Sequence, residues 1–103
     1  DGSMQVVPTQ AIPNQGLQAT LGGQQVALAV YQTDFGLFMD VFSNGAAVVE
    51  GVICEDVNRI VRDSYLGFTG DFTWFDTSGA GDNPDYTGLG ARFVLVYLEA
   101  GDL

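Results

Sequence analysis

An all-β domain, a small antiparallel barrel or sandwich of about seven strands with little or no helix, is what the sequence predicts. Three observations carry the prediction. Between residues 17 and 54 apolar and polar residues alternate with a period of two, the period of a half-buried strand. Tight turn signals separate the alternating runs: Gly22-Gly23, Thr33-Asp34-Phe35-Gly36 and Asn44-Gly45. No stretch with helical spacing exceeds two turns.

Taken in order, residues 1–3 ahead of Met4 read as a cloning scar, residues 4–14 as an extended N-terminal arm and residues 15–103 as a single β-domain. Pro8 and Pro13 give the arm its character, because each lacks a backbone donor and pushes its predecessor to extended geometry. Gln5, Val6 and Val7 suit a short edge strand. Residues 17–54 form a four-strand antiparallel meander tied by the three turns, with Gly45 placed where positive φ is needed. Residues 56–63 are ambiguous. Val57, Ile60 and Val61 have helical spacing with Asp56 as an N-cap, but valine and isoleucine favour strands, so an extended course is preferred. Phe68, Phe72 and Trp74 then alternate with Thr69, Asp71 and Thr73, which predicts a half-buried strand. Residues 93–98 are apolar on both faces, the mark of a central strand or a barrel-closing one, and 100–103 form a short polar tail.

The bulk composition bounds the function. A chain of 103 residues that is 47% hydrophobic can bury a core without staples. Thirteen acidic residues face three arginines, Arg59, Arg62 and Arg92, with no lysine or histidine, for a net charge of −10. Nucleic acids and anionic membrane surfaces are excluded as partners, because both are bound by cations. A basic protein partner is compatible. No apolar run approaches the ~20 residues of a membrane span, and no cationic segment precedes an apolar one as in a signal peptide. The single cysteine, Cys54, reads as a small buried hydrophobe followed by Glu55 and Asp56, in a chain made in a reducing compartment.

The chemically suggestive stretch is residues 65–90, an aromatic strand feeding an acidic, glycine-rich loop. Asp76, Asp82, Asn83 and Asp85 offer oxygen ligands, but their spacing does not match an EF-hand loop and no glutamate closes the set. They read as turn formers beside glycine and proline. Asp71 and Asp76 are five apart and project from opposite faces of one strand, so they do not form a catalytic pair. The absence of histidine removes the Ser-His and Cys-His nucleophiles, and zinc has no ligand set. No cation or helix start follows Gly79-Ala80-Gly81 to receive a phosphate. No catalytic residue, metal or cofactor is expected. One of Arg59 and Arg62 is expected to pair with a neighbour such as Asp56 or Asp63.

Four segments carry a family resemblance. They are Ile12-Pro13-Asn14-Gln15; Leu37-Phe38-Met39-Asp40-Val41; Tyr65-Leu66-Gly67-Phe68-Thr69-Gly70-Asp71-Phe72; and Gly88-Leu89-Gly90-Ala91-Arg92-Phe93 with Tyr97-Leu98. Over residues 4–98 the chain resembles the small baseplate plug proteins of contractile-tailed bacteriophages and related prophages. The resemblance implies a structural virion protein without catalytic residues. Such a protein sits in the tail baseplate among hub, spike and tail-tube initiator proteins, after assembly in the bacterial host cytoplasm. A homo-oligomer within that assembly is compatible.

On this reading the loop 76–90 and the arm 5–15 are the expected contact surfaces, with Asp76, Asp82, Asp85, Tyr86, Pro13 and Asn14 as partner contacts. Gly45, Gly67, Gly70, Trp74, Gly88, Gly90 and Arg92 are expected to be structural, Arg92 anchoring the loop's end on Asp71, Asp76 or Asp85. Removal of residues 4–14 is expected to leave a folded domain that assembles less well. The rival reading is a carbohydrate-binding β-module of a tail or cell-surface protein that stacks sugars on Trp74, Phe75 and Tyr86. Burial of Trp74 discriminates the two.

Overall fold

A computed structural model describes residues 5–62 and 68–99. Asp63, the Tyr65-Leu66-Gly67 segment and the tail 100–103 lie outside the described residues, so the expectations placed on them are not addressed. The chain forms β1 (Gln5–Val7), β2 (Asn14–Leu21), β3 (Gln24–Thr33), β4 (Gly36–Ser43), β5 (Ala46–Ile53), β6 (Asp71–Asp76) and β7 (Phe93–Leu98). One 3-10 turn, Tyr86–Gly88, precedes β7. Two antiparallel sheets result, one ordered β2-β3-β4-β5 and the other β1-β7-β6. They stack as an open sandwich and do not close into a barrel.

The larger sheet is the predicted meander, because each of its turns is specified locally. Gly22 and Gly23 both take positive φ between β2 and β3, and Asn44 and Gly45 do so between β4 and β5, at 52° and 84°. The pleat then sends Val26, Leu28, Val30, Leu37, Met39 and Val41 to one buried face. Against it the smaller sheet sets Phe72, Trp74, Phe93, Leu95 and Tyr97, all 0–1% exposed. Phe72 lies between Phe68 and Tyr97, with ring centroids 6.1 and 5.4 Å away. β7 is the central strand of its sheet, as its two apolar faces predict.

Gln5, Val6 and Val7 form the expected short edge strand, paired with Tyr97, Val96 and Leu95, with Val7 buried, and Asn14 opens β2. Two expectations about the aromatic strand need correction. Phe68 is buried but precedes β6, which begins at Asp71. β6 is not half-buried either, because Asp71 and Thr73 are 2% and 4% exposed. Their cover is the segment 56–62, which is not helical but is not the preferred extended strand either: it turns at Val57 (φ 54°) and Arg62 (φ 72°) and touches β6 through isolated bridges at Asp56 and Arg59. Val57 N–H donates to the Trp74 carbonyl at 2.8 Å and Ile60 N–H to the Phe72 carbonyl at 3.0 Å. The Asp71 carboxylate accepts from the N–H groups of Val61 (2.7 Å), Arg62 (2.8 Å) and Phe72 (2.7 Å). Thr73 Oγ1 donates to the Asn58 carbonyl. Buried polar groups satisfied in this way are tolerated, so alternation along β6 reported chemistry and not exposure.

Two measurements check these assignments. Gly45→Val places a β-branched residue at φ +84° and is expected to lower stability by about 1–3 kcal/mol in chemical denaturation; an unchanged midpoint would remove the turn assignment. Deletion of residues 4–14 takes away β1, buried Val7 and the first residue of β2, so the shortened chain should melt well below the full one. Equal melting temperatures would mean that β1 adds nothing to the fold.

Candidate functional site

The loop between β6 and β7 is organised by one carboxylate. Asp76 ends β6, and Arg92 stands immediately before β7. The strands pair Asp76 with Phe93, so Arg92 is delivered beside Asp76 by the register itself. Its guanidinium meets the carboxylate with two bonds, Nε to Oδ1 and Nη2 to Oδ2, each 2.9 Å. This fork is the strong form of an ion pair. Ser78 donates to the same carboxylate through its N–H (3.0 Å) and Oγ (2.6 Å), and Asp82 through its N–H (2.9 Å). Arg92 Nη2 also reaches the Asp82 carboxylate at 2.6 Å, and its Cζ lies 4.8 Å from the centre of the Phe93 ring.

Electrostatics follow from that geometry. The Arg92 fork, with help from Ser78 and Asp82, holds the Asp76 carboxyl well below the usual carboxylate range and raises the Arg92 guanidinium above its own. The Asp76 side chain has no exposed surface, whereas that of Arg92 is 40% exposed. The cover over Asp76 is local. It consists of the carboxylate's own hydrogen-bond partners, at the rim of the fold and not in its depth.

Further bonds fix the remainder of the loop. Thr77 N–H and Oγ1 both donate to the Arg92 carbonyl, at 2.8 and 2.7 Å. Asp56 N–H donates to Asn83 Oδ1 (3.1 Å), and Asp76 N–H to Asp56 Oδ1 (2.9 Å). Pro84 is buried. Asp85 caps the 3-10 turn by accepting from Thr87 N–H and Thr87 Oγ1, and Tyr86 N–H donates to Gln32 Oε1 (3.1 Å) on the larger sheet. Gly90, at φ +80°, lies so close to the Thr9 carbonyl that a side chain would collide with it, which ties the loop's end to the arm. Gly88 leaves room for the Phe93 ring, 2.7 Å from where a Cβ would stand. Gly70 approaches the Leu98 carbonyl and the Tyr97 ring as closely.

The expected contact residues separate into two groups. Asp82, Asp85, Pro13 and Asn14 are exposed and Tyr86 is half-buried. Asp76 stands apart from them: its side chain is covered and its oxygens are committed to Arg92, Ser78 and Asp82, so it organises the loop. Arg92 takes Asp76 from among its three candidates and adds Asp82, which spacing alone did not suggest. Of the two carboxylates expected to pair with Arg59 or Arg62, Asp63 lies outside the described residues and Asp56 accepts from the Asp76 N–H, while Arg62 Nε donates to the Arg59 carbonyl.

Trp74 is fully buried, which takes away the stacking platform of a sugar-binding module and leaves only Phe75, 37% exposed, and Tyr86. Its indole N–H faces the Cys54 sulfur without reaching hydrogen-bond geometry. Burial pushes the Cys54 thiol up to about 12, far from the thiolate that reactivity requires. Among the described residues no three potential metal ligands come together.

Sequence reasoning missed Phe35. It stands at the tip of the β3–β4 turn, 87% exposed. The signal was present, since an aromatic residue among turn formers contributes nothing to the turn.

A family model described as cyanophage baseplate Pam3 plug gp18 matches residues 4–100. A search of curated proteins found no match. The match covers nearly the whole chain, and the chain belongs to that baseplate plug family.

The loop's electrostatics set a pH dependence. A carboxylate whose folded pKa lies below its unfolded value, about 3.9, stabilises the fold above that pH and ceases to as pH falls through the folded value. Asp76→Asn should therefore melt several degrees below the parent at pH 7, and the gap should narrow steadily below about pH 4. A gap of equal size at pH 7 and pH 2.5 would contradict this account of Asp76.

Proposed function

We propose that this chain is a structural plug subunit in the baseplate of a contractile phage tail. It assembles without covalent chemistry against hub, spike and tail-tube initiator proteins, and it catalyses nothing. The observation that carries the reading is the family match over residues 4–100. Physical features support it. The core is compact, the carboxylates of the acidic loop are engaged in hydrogen bonds, and the thiol is buried. The localisation that follows is the virion tail baseplate, with assembly in the host cytoplasm.

The mechanism is docking by preordered surfaces. Ordering a flexible loop at the moment of binding costs affinity, roughly 0.5–1.5 kcal/mol for each immobilised long side chain. Here Arg92, Asp76, Asn83 and Asp85 hold residues 76–92 in one shape beforehand. Exposed Asp82 and Asp85 then meet cationic groups on a neighbour, and Phe35 supplies an apolar anchor at the far hairpin tip.

Co-expression with the hub and spike proteins of the same phage tests the reading. The chain should copurify with them and be found in purified tails. Arg92→Gln, which releases the loop while leaving the core intact, should weaken that capture about tenfold or more. Absence of the chain from purified tails would sink the baseplate assignment. Capture unaffected by Arg92→Gln would sink the role of the loop alone.

A further inference from the structure

Charge is segregated along this chain. Asp1 apart, every charged residue lies after Thr33. β2 and β3 carry none, whereas β4 holds Asp40 and β5 holds Glu50. The larger sheet is therefore neutral at its β2 edge and acidic at its β5 edge, in a molecule of net charge −10.

The sheet edges are also unequally protected. An edge strand is a template for another strand, and proteins blunt it with charge, proline, bulges, shortness or a cover. β5 has Glu50, register shifts against β4 and Gly51 at φ +66°. β6 is covered by the backbone bonds from Val57 and Ile60. β1 has three residues and runs into Pro8. β2 has Pro13 just before it and Gln10 held by the Gln15 side chain at its first turn, but beyond Gln15 it has no charge, proline or bulge. It is eight residues long, uncharged, and in unbroken register with β3 from Asn14 to Leu21. Beside it opens an apolar cleft of about 130 Å³ lined by Val7, Pro8, Leu17, Ala19, Leu21 and Leu28, among others.

We propose that β2 is a self-association edge. A second copy adds its own β2 antiparallel across a two-fold axis, and two four-stranded sheets become one of eight. Charge selects this occupant. Two molecules of net charge −10 repel one another, and the neutral edge is the approach that brings no like charges into contact. A cationic partner would be drawn to the acidic remainder instead.

Register agrees with a self-paired strand. Along β2, Gln15, Leu17 and Ala19 are half-buried while Asn14, Gly16, Gln18 and Thr20 are exposed. With the two-fold axis at Leu17, Gln15 stands opposite Ala19 of the second copy, Gly16 opposite its Gln18 and Asn14 opposite its Thr20. Every residue meets one from its own face, because side chains alternate. Leu17 then meets its equivalent next to the cleft, and the polar side chains stay outside. The inference concerns the chain by itself and does not depend on its place in a baseplate.

Sedimentation and light scattering on the full chain test it. The expected result is a concentration-dependent dimer that strengthens with added salt, because screening relieves the repulsion of the acidic remainder. Gln18→Glu with Thr20→Glu, both at exposed positions, should weaken it about tenfold or more, since strand edges reject charge. A nitroxide on Thr20→Cys gives a second reading. Pairing centred on Leu17 sets the two labelled positions six residues apart along the strands, about 20 Å. A monomer at every salt concentration up to about 1 mM protein overturns the proposal. So does a dimer that weakens with salt, survives the double substitution, or gives a distance far from that value.

Discussion

Everything in this fold rests on the contact between two small sheets across a shared filling of large side chains. Each sheet carries one apolar face, and stacking the two faces is what removes that surface from water. The larger sheet offers aliphatic residues of moderate size, Val26, Leu28, Val30, Leu37, Met39 and Val41. The smaller one answers with bulk, Trp74, Phe72, Phe93 and Tyr97. Unequal layers interlock because large rings fill the space that short branched chains leave. The same contact fixes the site: once Trp74 and Phe93 are seated, Asp76 and Arg92 stand at adjacent strand ends, and the loop between them has little freedom left.

How much of this was legible in the sequence depends on how local each constraint is. The meander could be read because Gly22-Gly23 and Asn44-Gly45 each fix a turn and a register within a few residues. The pairing of Gln5–Val7 with β7 could not, since nothing near residue 5 records a partner near residue 96. Asp71 and Thr73 were read as outward-facing because alternation measures polarity. Their burial depends on N–H and carbonyl groups from residues 58–62, whose own pattern was ambiguous. Arg92 could be narrowed to three carboxylates by charge alone. That it takes Asp76 follows from strand register, and that it also takes Asp82 follows from the loop folding back through Asp82 N–H.

The acidic loop illustrates how a suggestive composition resolves into structure. Four oxygen-bearing residues within ten positions invite a metal reading. In the fold each has another occupation: Asp76 binds Arg92, Asn83 accepts from Asp56, Asp85 caps a 3-10 turn, and Asp82 closes over the guanidinium. A metal ion needs several such groups turned to one point, and these bonds aim them at different partners. What remains for function is the outer surface that these internal bonds hold still.

The adjacency of β1 and β7 also imposes an order in time. Gln5 is paired with Tyr97, so the first of the described strands to be synthesised is neighbour to the last of them. At about 5–20 residues per second, roughly 5–20 s separate their appearance during translation. The β2–β5 meander can pair as it emerges, from turns that need no distant partner. The smaller sheet must wait for its central strand, and until β7 arrives Val7 and the aromatic residues of β6 have nothing to pack against in their own sheet. Completion of this domain is therefore a late event, set by the arrival of β7 and not by that of β1.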